Sequence, residues 1–432
     1  MTTRLSMRRG ERRRGPVRTE TNPLRVLVVA PYYPPEPGAA STRLGEMTRF
    51  WAEAGAQVTV VAGKPCYPDG VIPAEYEGSW VREEVRDGVR VIRGHVWALP
   101  NHSAAQRFLH QASHFVATAW LAGRRAPEVD VVLGSSPHLF GAAAAALLAR
   151  RLGVPFALEL RDLWPRIIWQ TGAVARHHPV IRMLEVLERW LYRRADRLIT
   201  VTKRFRGEIC EVAPHWTPEA IEVIPNGVDT ARFVEERDPA AIRRRFGLDP
   251  ERPLVLYAGV HGIPQGLEVV VDAARQRPDV QWALLGKGGR RDALMAYGEG
   301  VPNLRFLDAV GPDEMPDVYA MATALVVPLR DLPSLRSTIP SKVFEIWASG
   351  RPVLLSAAGE VAELAEASGA SVVVPPEDPA ALAAAADVVW EPDRCAEMGA
   401  RGREFVMARY ERRALALRYL ALLGQQGSVT DR

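Results

Sequence analysis

Hydrophobic and polar positions divide the chain into two successive series of strand and helix patterns. Residues 24–30 (LRVLVVA) are almost continuously apolar, which predicts a strand buried on both faces, as in a parallel sheet. A Pro/Gly-rich loop over 31–38 follows, and then a helix over 40–54. Further strands are predicted at 57–62, 129–133, 155–160, 197–201 and 222–224, with helices over 139–152 and 180–194 between them. The stretch 229–253 is charged and carries Pro239, Pro250 and Pro253, so it reads as a connection holding one short helix near 241–246. The alternation restarts with strands at 254–258, 281–285, 304–307, 324–327, 352–355 and 371–374. A helical end over 394–423, broken near Arg409, closes the chain.

Strands alternating with helices imply an α/β architecture of doubly wound parallel sheets. Two such series in tandem imply two Rossmann-like domains facing a central cleft. The boundaries read as a disordered basic tail over 1–23, a first domain over 24–235 and a second over 236–405. A C-terminal helix over 406–425 is expected to pack back on the first domain. In open α/β sheets ligands bind beyond the carboxyl ends of the strands, so chemistry is sought in the loops that follow strands.

Charge sharpens this picture. The net charge is +4, but residues 1–23 hold seven Arg and two Glu. The remainder is therefore close to neutral, which argues against nucleic acid as a partner. Cys66, Cys210 and Cys395 are scattered, with no CxxC pair. That pattern predicts a reduced cytoplasmic protein without disulfides or a metal site. The N-terminus lacks an apolar run of the secretory kind, and no stretch of about 18 apolar residues could span a membrane.

Five loops carry candidate chemistry. The first, 34–41, ends in small residues around Gly38 at a helix start, where backbone N–H groups suit phosphate. Arg161 and Asp162 follow a predicted strand beside Trp164. Gly259, Gly262 and Gly266 open the second series with Gln265 among them, and Lys287 stands in a Gly-Lys-Gly-Gly loop. Finally, Arg336 precedes Pro340-Ser341-Lys342, which starts a helix, and Glu345 lies on the same helix side as Ser341 and Lys342. A cation for phosphates and a carboxylate for two sugar hydroxyls are what holding a nucleotide requires.

Taken together, Tyr33–Gly38, Glu159–Pro165, Ile224–Asp229, Gly259–Gly266 and Ile339–Glu345 resemble the retaining glycosyltransferase family four, of the two-domain GT-B fold. The resemblance spans about 24–423. It is nearest the branch acting in bacterial capsule, O-antigen and colanic-acid assembly that includes L-fucosamine transferase. It implies that Glu345 holds the ribose, that Ser341 and Lys342 lie near the diphosphate, and that Val310 meets the base through its backbone. Gly38 would close over the diphosphate, and Arg161 and Asp162 would stand where relatives carry a His-Asp pair. Two departures stand out. Ser337 occupies the place of the first of two family glutamates, and uncharged Val260 and Gln265 replace an Arg and a Lys. The resemblance then shifts the charge onto Lys342, helix N-termini, Arg336 or Lys287.

The implied reaction moves a hexose or an amino- or deoxy-sugar from a nucleotide sugar, UDP ahead of GDP, to a saccharide or lipid-linked saccharide. It proceeds with retention, and without metal or cofactor. Residues 102–121 set Phe108, Leu109, Phe115, Val116, Trp120 and Leu121 on one helix face, flanked by Arg107, Arg124 and Arg125. Such a face either packs on the core or docks at the inner face of the plasma membrane. A nucleotide-sugar epimerase and a non-catalytic sugar-nucleotide-binding subunit are the competing readings.

Overall fold

The structure, a computed structural model, describes residues 22–66, 70–99, 104–118, 125, 127–172, 174–235 and 237–425. The first domain runs β1 (Arg25–Val29), α1 (Ala39–Glu53), β2 (Gln57–Gly63), β3 (Val81–Arg86), β4 (Val89–Gly94), α2 (Ala104–Ala117), β5 (Val131–Ser135), α3 (Leu139–Leu152), β6 (Phe156–Leu160), α4 (Arg166–Gln170), α5 (Pro179–Arg194), β7 (Arg197–Thr200), α6 (Arg204–Val212) and β8 (Ile221–Val223). Its eight strands lie in the order β3-β4-β2-β1-β5-β6-β7-β8. All pair in parallel except β3, which runs antiparallel to β4.

The second domain runs α7 (Pro239–Arg245), β9 (Leu254–Ala258), α8 (Glu268–Gln276), β10 (Gln281–Leu285), α9 (Arg291–Tyr297), β11 (Leu304–Leu307), α10 (Met315–Met321), β12 (Ala324–Pro328), α11 (Lys342–Ala348), β13 (Val353–Ser356), α12 (Glu360–Ser368), β14 (Ser371–Val374), α13 (Pro379–Ala385) and α14 (Pro392–Arg409). Its six strands are all parallel, in the order β11-β10-β9-β12-β13-β14. The central strands of both sheets are buried on both faces, which is why they read as apolar runs. The two sheets are the parallel α/β layers that the alternating pattern predicts.

The β3–β4 hairpin is a finding that the apolar-run reading passed over. Its strands, VREEVR and VRVIRG, carry charge, and Glu83–Arg90 and Glu84–Arg93 pair across them. The signal was in the turn. Asp87 and Gly88 both have positive φ (51° and 76°), the Asp-Gly turn that suits a tight hairpin.

A last helix, α15 (Arg412–Gly424), leaves the second domain and packs on α1 of the first. Trp51 Nε1 donates to the Ala416 carbonyl at 2.8 Å, and the Trp51 ring meets Tyr419 edge-on at 5.2 Å. The helical end breaks at Tyr410–Glu411, where Val228 N donates to the Tyr410 carbonyl (2.9 Å) and Arg412 N donates to the Val228 carbonyl (2.8 Å). Gly227 (φ 61°) makes this crossing possible, because a Cβ there would run into the Tyr410 carbonyl. Both chain crossings between the domains thus lie side by side, as a hinge. At the other edge the domains meet through polar groups. Glu360 accepts from the backbone N–H groups of Lys203 and Arg204 (2.7 and 2.9 Å), and Gln170 accepts from Ser334 N at 2.9 Å. Arg204 pairs with Glu363, and the Ser337 hydroxyl donates to Glu208. No described helix is long and apolar enough to cross a membrane.

One buried ion pair ties the first domain's loops together. Arg43 on α1 donates to the Glu159 carboxylate (2.9 Å) and to the carbonyls of Ile224 (2.9 Å) and Pro225 (2.6 Å). Both charged side chains are essentially out of water, at 2% and 0% exposure. Removing one partner strands the other charge. Arg43→Met is expected to lower unfolding free energy by about 3–5 kcal/mol in urea titration. Arg290→Met, at an exposed pair with Glu268, should change it by under about 0.5 kcal/mol.

Candidate functional site

A cavity of about 300 Å³ lies between the domains. The first domain contributes Arg161 and Asp162 after β6, Thr202 after β7 and Asn226 after β8. The second contributes Pro264 and Gln265 after β9, Val327–Leu329 at the end of β12, and Thr338–Lys342 entering α11. β9 and β12 flank the point where the second sheet reverses its winding, the usual ligand position in such sheets.

Lys342 is the centre of the second wall. Its ammonium sits 4.0 Å from the centre of the Tyr257 ring, a cation–π contact. A Cβ on Gly259 (φ 148°) would strike that ammonium, so glycine at 259 leaves the space the lysine fills. Burial lowers the Lys342 pKa to about 7, with Glu345 pulling the other way. Lys342 makes no salt bridge within the described residues. One turn on, the Glu345 carboxylate accepts from the Tyr319 hydroxyl at 2.7 Å, which leaves its other oxygen for a further donor.

The glycine loop is fixed by its neighbour. His261 N donates to the Lys287 carbonyl (3.0 Å) and Arg290 N to the His261 carbonyl (3.0 Å). Gly262 adjoins Gln265. Lys287 itself is exposed, with its backbone against the loop and its side chain outside the cavity lining. Val310 is half-buried against the second domain's core. Gly38, at the start of α1 with φ 122°, stands next to cavity-lining Ala39.

On the first wall Arg161 Nε donates to the Ser136 carbonyl at 2.9 Å and lies 3.8 Å from Glu159. Burial raises the Glu159 carboxyl, but Arg43 and Arg161 outweigh this and hold it below its ordinary range. Asp162 shows the opposite balance. Burial raises it to about 6, and Arg161 offsets only part of that.

Arg336 requires a correction. It is exposed, held by Asp331 through two 2.8 Å hydrogen bonds, and lines a separate groove beside Arg204 and Gly359. Its bidentate pair keeps it away from the cavity, so the second domain's wall takes its cation from Lys342. Ser337 does not line the cavity either; its hydroxyl is spent on Glu208, which Arg166 also holds at 2.7 Å. Of the apolar helix face over 102–121, Phe115 packs on the core while Leu109 and Val116 are exposed. Trp120, Leu121 and Arg124 lie outside the described residues, as does the side chain of Phe108. Arg43, Arg93, Tyr257 and Tyr319 are supporting residues that sequence reasoning missed. Arg93, fully buried, reaches the Pro34 carbonyl and so anchors the loop before Gly38. For Arg93 the available signal was a charge inside an apolar strand.

Similarity to known proteins bears on the family and the fold. Residues 38–227 match the family described as glycosyl transferase 4-like domain, and residues 252–391 match glycosyl transferases group 1. WcaI of Escherichia coli K12, assigned to colanic acid biosynthesis as a glycosyl transferase, is 28% identical over 84% of this chain and 91% of its own length. Glycogen synthase of Mycobacterium tuberculosis is 28% identical over 88% and 89%. Among solved structures, sucrose-phosphate synthase from Thermosynechococcus elongatus superposes with TM-score 0.72 at 21% identity, covering 93% of this chain and 98% of its own. Anabaena HepE in complex with UDP-glucose superposes with TM-score 0.68 at 15% identity, covering 92% and 98%. The fold is therefore GT-B.

The raised Asp162 carboxyl has a consequence for stability. Its folded pKa lies above its unfolded one, so the ionised form is disfavoured by folding. The cost is absent below about pH 4, grows up to pH 6 and stays constant above. Asp162→Asn is therefore expected to be more stable than wild type at pH 8, by about 1–2 kcal/mol after allowance for partial solvent screening. The gap should close by pH 4. Thermal melts across pH check this; a gap that widens in acid would contradict it.

Proposed function

The chain belongs to the group 1 glycosyltransferases, and from that membership we propose that it moves a hexose or an amino- or deoxy-sugar from UDP-sugar to a saccharide acceptor with retention of configuration. The observation that carries the donor assignment is Lys342, a cation in no salt bridge among the described residues, against the glycine loop and one turn from Glu345. The leaving diphosphate gains charge in the transition state, and a preorganised cation and backbone N–H groups stabilise it without reorganisation. Lys342 offers that charge at the loop where Val260 and Gln265 offer none. Glu345, steadied by Tyr319, accepts from two ribose hydroxyls. Val310 meets the base through its backbone, Ser341 and the Gly38 loop face the diphosphate, and Asp162 faces the acceptor hydroxyl.

Uridine is favoured by the family setting; the solved HepE structures carry UDP and UDP-glucose. No metal or cofactor is required, because Lys342 and helix starts supply the positive charge. The acceptor is a saccharide, carried on a lipid in cell-surface polysaccharide synthesis. Exposed Leu109 and Val116 on α2 support a peripheral contact at the inner face of the plasma membrane.

Two outcomes test the donor site. In chelator, UDP at about 100 times its dissociation constant should stabilise the wild type by roughly 2.7 kcal/mol, several degrees of melting temperature. Glu345→Ala should lose most of that shift; an equal shift in the variant overturns the ribose assignment. The second outcome concerns pH. Lys342 is half-protonated near pH 7 when free and should be held protonated by bound diphosphate. UDP-glucose, whose phosphates do not titrate in this range, is then expected to bind roughly 25-fold more weakly at pH 8.5 than at pH 6.5. Calorimetry should show proton uptake, and Lys342→Met should abolish the pH dependence.

A further inference from the structure

Four rings stand in a row on the first domain, beside the cavity and not part of its lining. His110 of α2 stacks on Tyr32 after β1, with centroids 5.8 Å apart and planes 10° apart. Tyr32 meets His138 after β5 edge-on at 4.8 Å, and His138 faces Trp164 after β6 at 6.4 Å. The row thus crosses the carboxyl ends of three neighbouring strands and stops two residues past Asp162. Arg161 Nε fixes its end by donating to the Ser136 carbonyl, two residues before His138. Tyr32, His138 and Trp164 are each only half-buried, so the row keeps an open side. His138 Nδ1 is sealed from water and has no hydrogen-bond partner. An unsatisfied buried polar atom is unfavourable, and a ligand that completes its bond removes that cost. Beside Asp162, Thr202 Oγ1 lines the cavity and is likewise buried and unpartnered.

We propose that this row is the acceptor subsite, and that it takes the neutral end of a saccharide, with sugar rings on Tyr32, His138 and Trp164 and a hydroxyl bonded to His138. The inference rests on the transferase reading above. A pyranose ring has an apolar C–H face that lies on an aromatic ring, and hydroxyls at its edge. A neutral imidazole suits those hydroxyls, because one nitrogen donates and the other accepts. Burial, then Arg161, pushes His138 down to about 3, so the imidazole is neutral at pH 7. Among the described residues the cation that acts on His138, Arg161, is held back by the Ser136 carbonyl and lies 3.8 Å from Glu159. The row is longer than one sugar ring, so it suits a disaccharide or a longer chain. The reacting hydroxyl then points past Trp164 towards Asp162 and Thr202.

The test uses the full chain saturated with UDP and a probe panel of methyl lactoside, methyl maltoside and methyl N,N′-diacetylchitobioside, read by saturation-transfer NMR. At least one disaccharide should receive saturation. His138→Phe keeps the ring and removes both nitrogens, and it should weaken binding about tenfold. Trp164→Leu should do the same. Because Trp164 also touches the core, each variant is first checked for an unchanged UDP-induced melting shift. The bound disaccharide, offered again on a dodecyl chain in vesicles, separates the two sources. Equal affinity assigns recognition to the saccharide and higher affinity adds a lipid contribution, and the His138 variant must weaken both forms. No binding by any of the panel, or binding that survives both variants, overturns the subsite. Absence of any UDP shift in the wild type instead overturns the transferase reading on which it rests.

Discussion

The buried carboxylate of Glu159 is the constraint that the rest of the site depends on. It sits at the end of β6, sealed from water, between Arg43, Arg161 and the Ser135 hydroxyl at 2.7 Å. A charge in that place is tolerable only if it is surrounded by donors. Satisfying it fixes α1 against the crossing at Ile224–Pro225, β5 against β6, and Arg161 in the orientation that sets Asp162 at the cleft. The loops of the first wall are thus positioned by one electrostatic requirement. The second wall is positioned by sterics, since Gly259 vacates the room that Lys342 takes.

That division explains what the sequence made legible. Parallel strands such as Leu254–Ala258 (LVLYA) are apolar throughout, because helices cover both faces, and the pattern alone locates them. The β3–β4 edge escaped because its outer face meets solvent and its charges are paired across the strands. Candidate residues with a local motif were those the sequence could pick out: Ser341 and Lys342 enter a helix, Arg161 and Asp162 follow a strand, and the structure brings these four to one cavity. Residues whose partners lie far along the chain were not legible. Arg43 and Glu159 are 116 positions apart, and nothing near either one announces the pair. Arg336 misled for the same reason in reverse. Proximity to Ser341 in sequence suggested the cleft, whereas Asp331, five positions away, holds its guanidinium elsewhere.

The domain border has two unlike edges. At the hinge, backbone hydrogen bonds and apolar packing of α15 on α1 hold the chain crossings together. At the far edge, carboxylates of Glu208, Glu360 and Glu363 meet donors of the opposite domain with little apolar contact beyond Ile167. Exposed polar contacts of this kind are individually weak and exchange readily with water. One edge is thus tied by backbone hydrogen bonds and apolar packing, and the other by polar side-chain contacts.

The return of α15 also bears on how the chain is made. Leu415, Ala416, Tyr419 and Leu423 complete the hydrophobic core around β1 and α1, yet they follow the whole second domain in synthesis. A ribosome adding about 5–20 residues per second needs roughly 10–40 s to reach α15 after β8 has emerged. Through that interval Phe50 and Trp51 on α1 face water where Tyr419 will later sit. The second domain, whose core draws on residues nearer in sequence, can close first. The nascent first domain therefore carries an open apolar seam until α15 emerges, and it is α15 that covers β1 and α1.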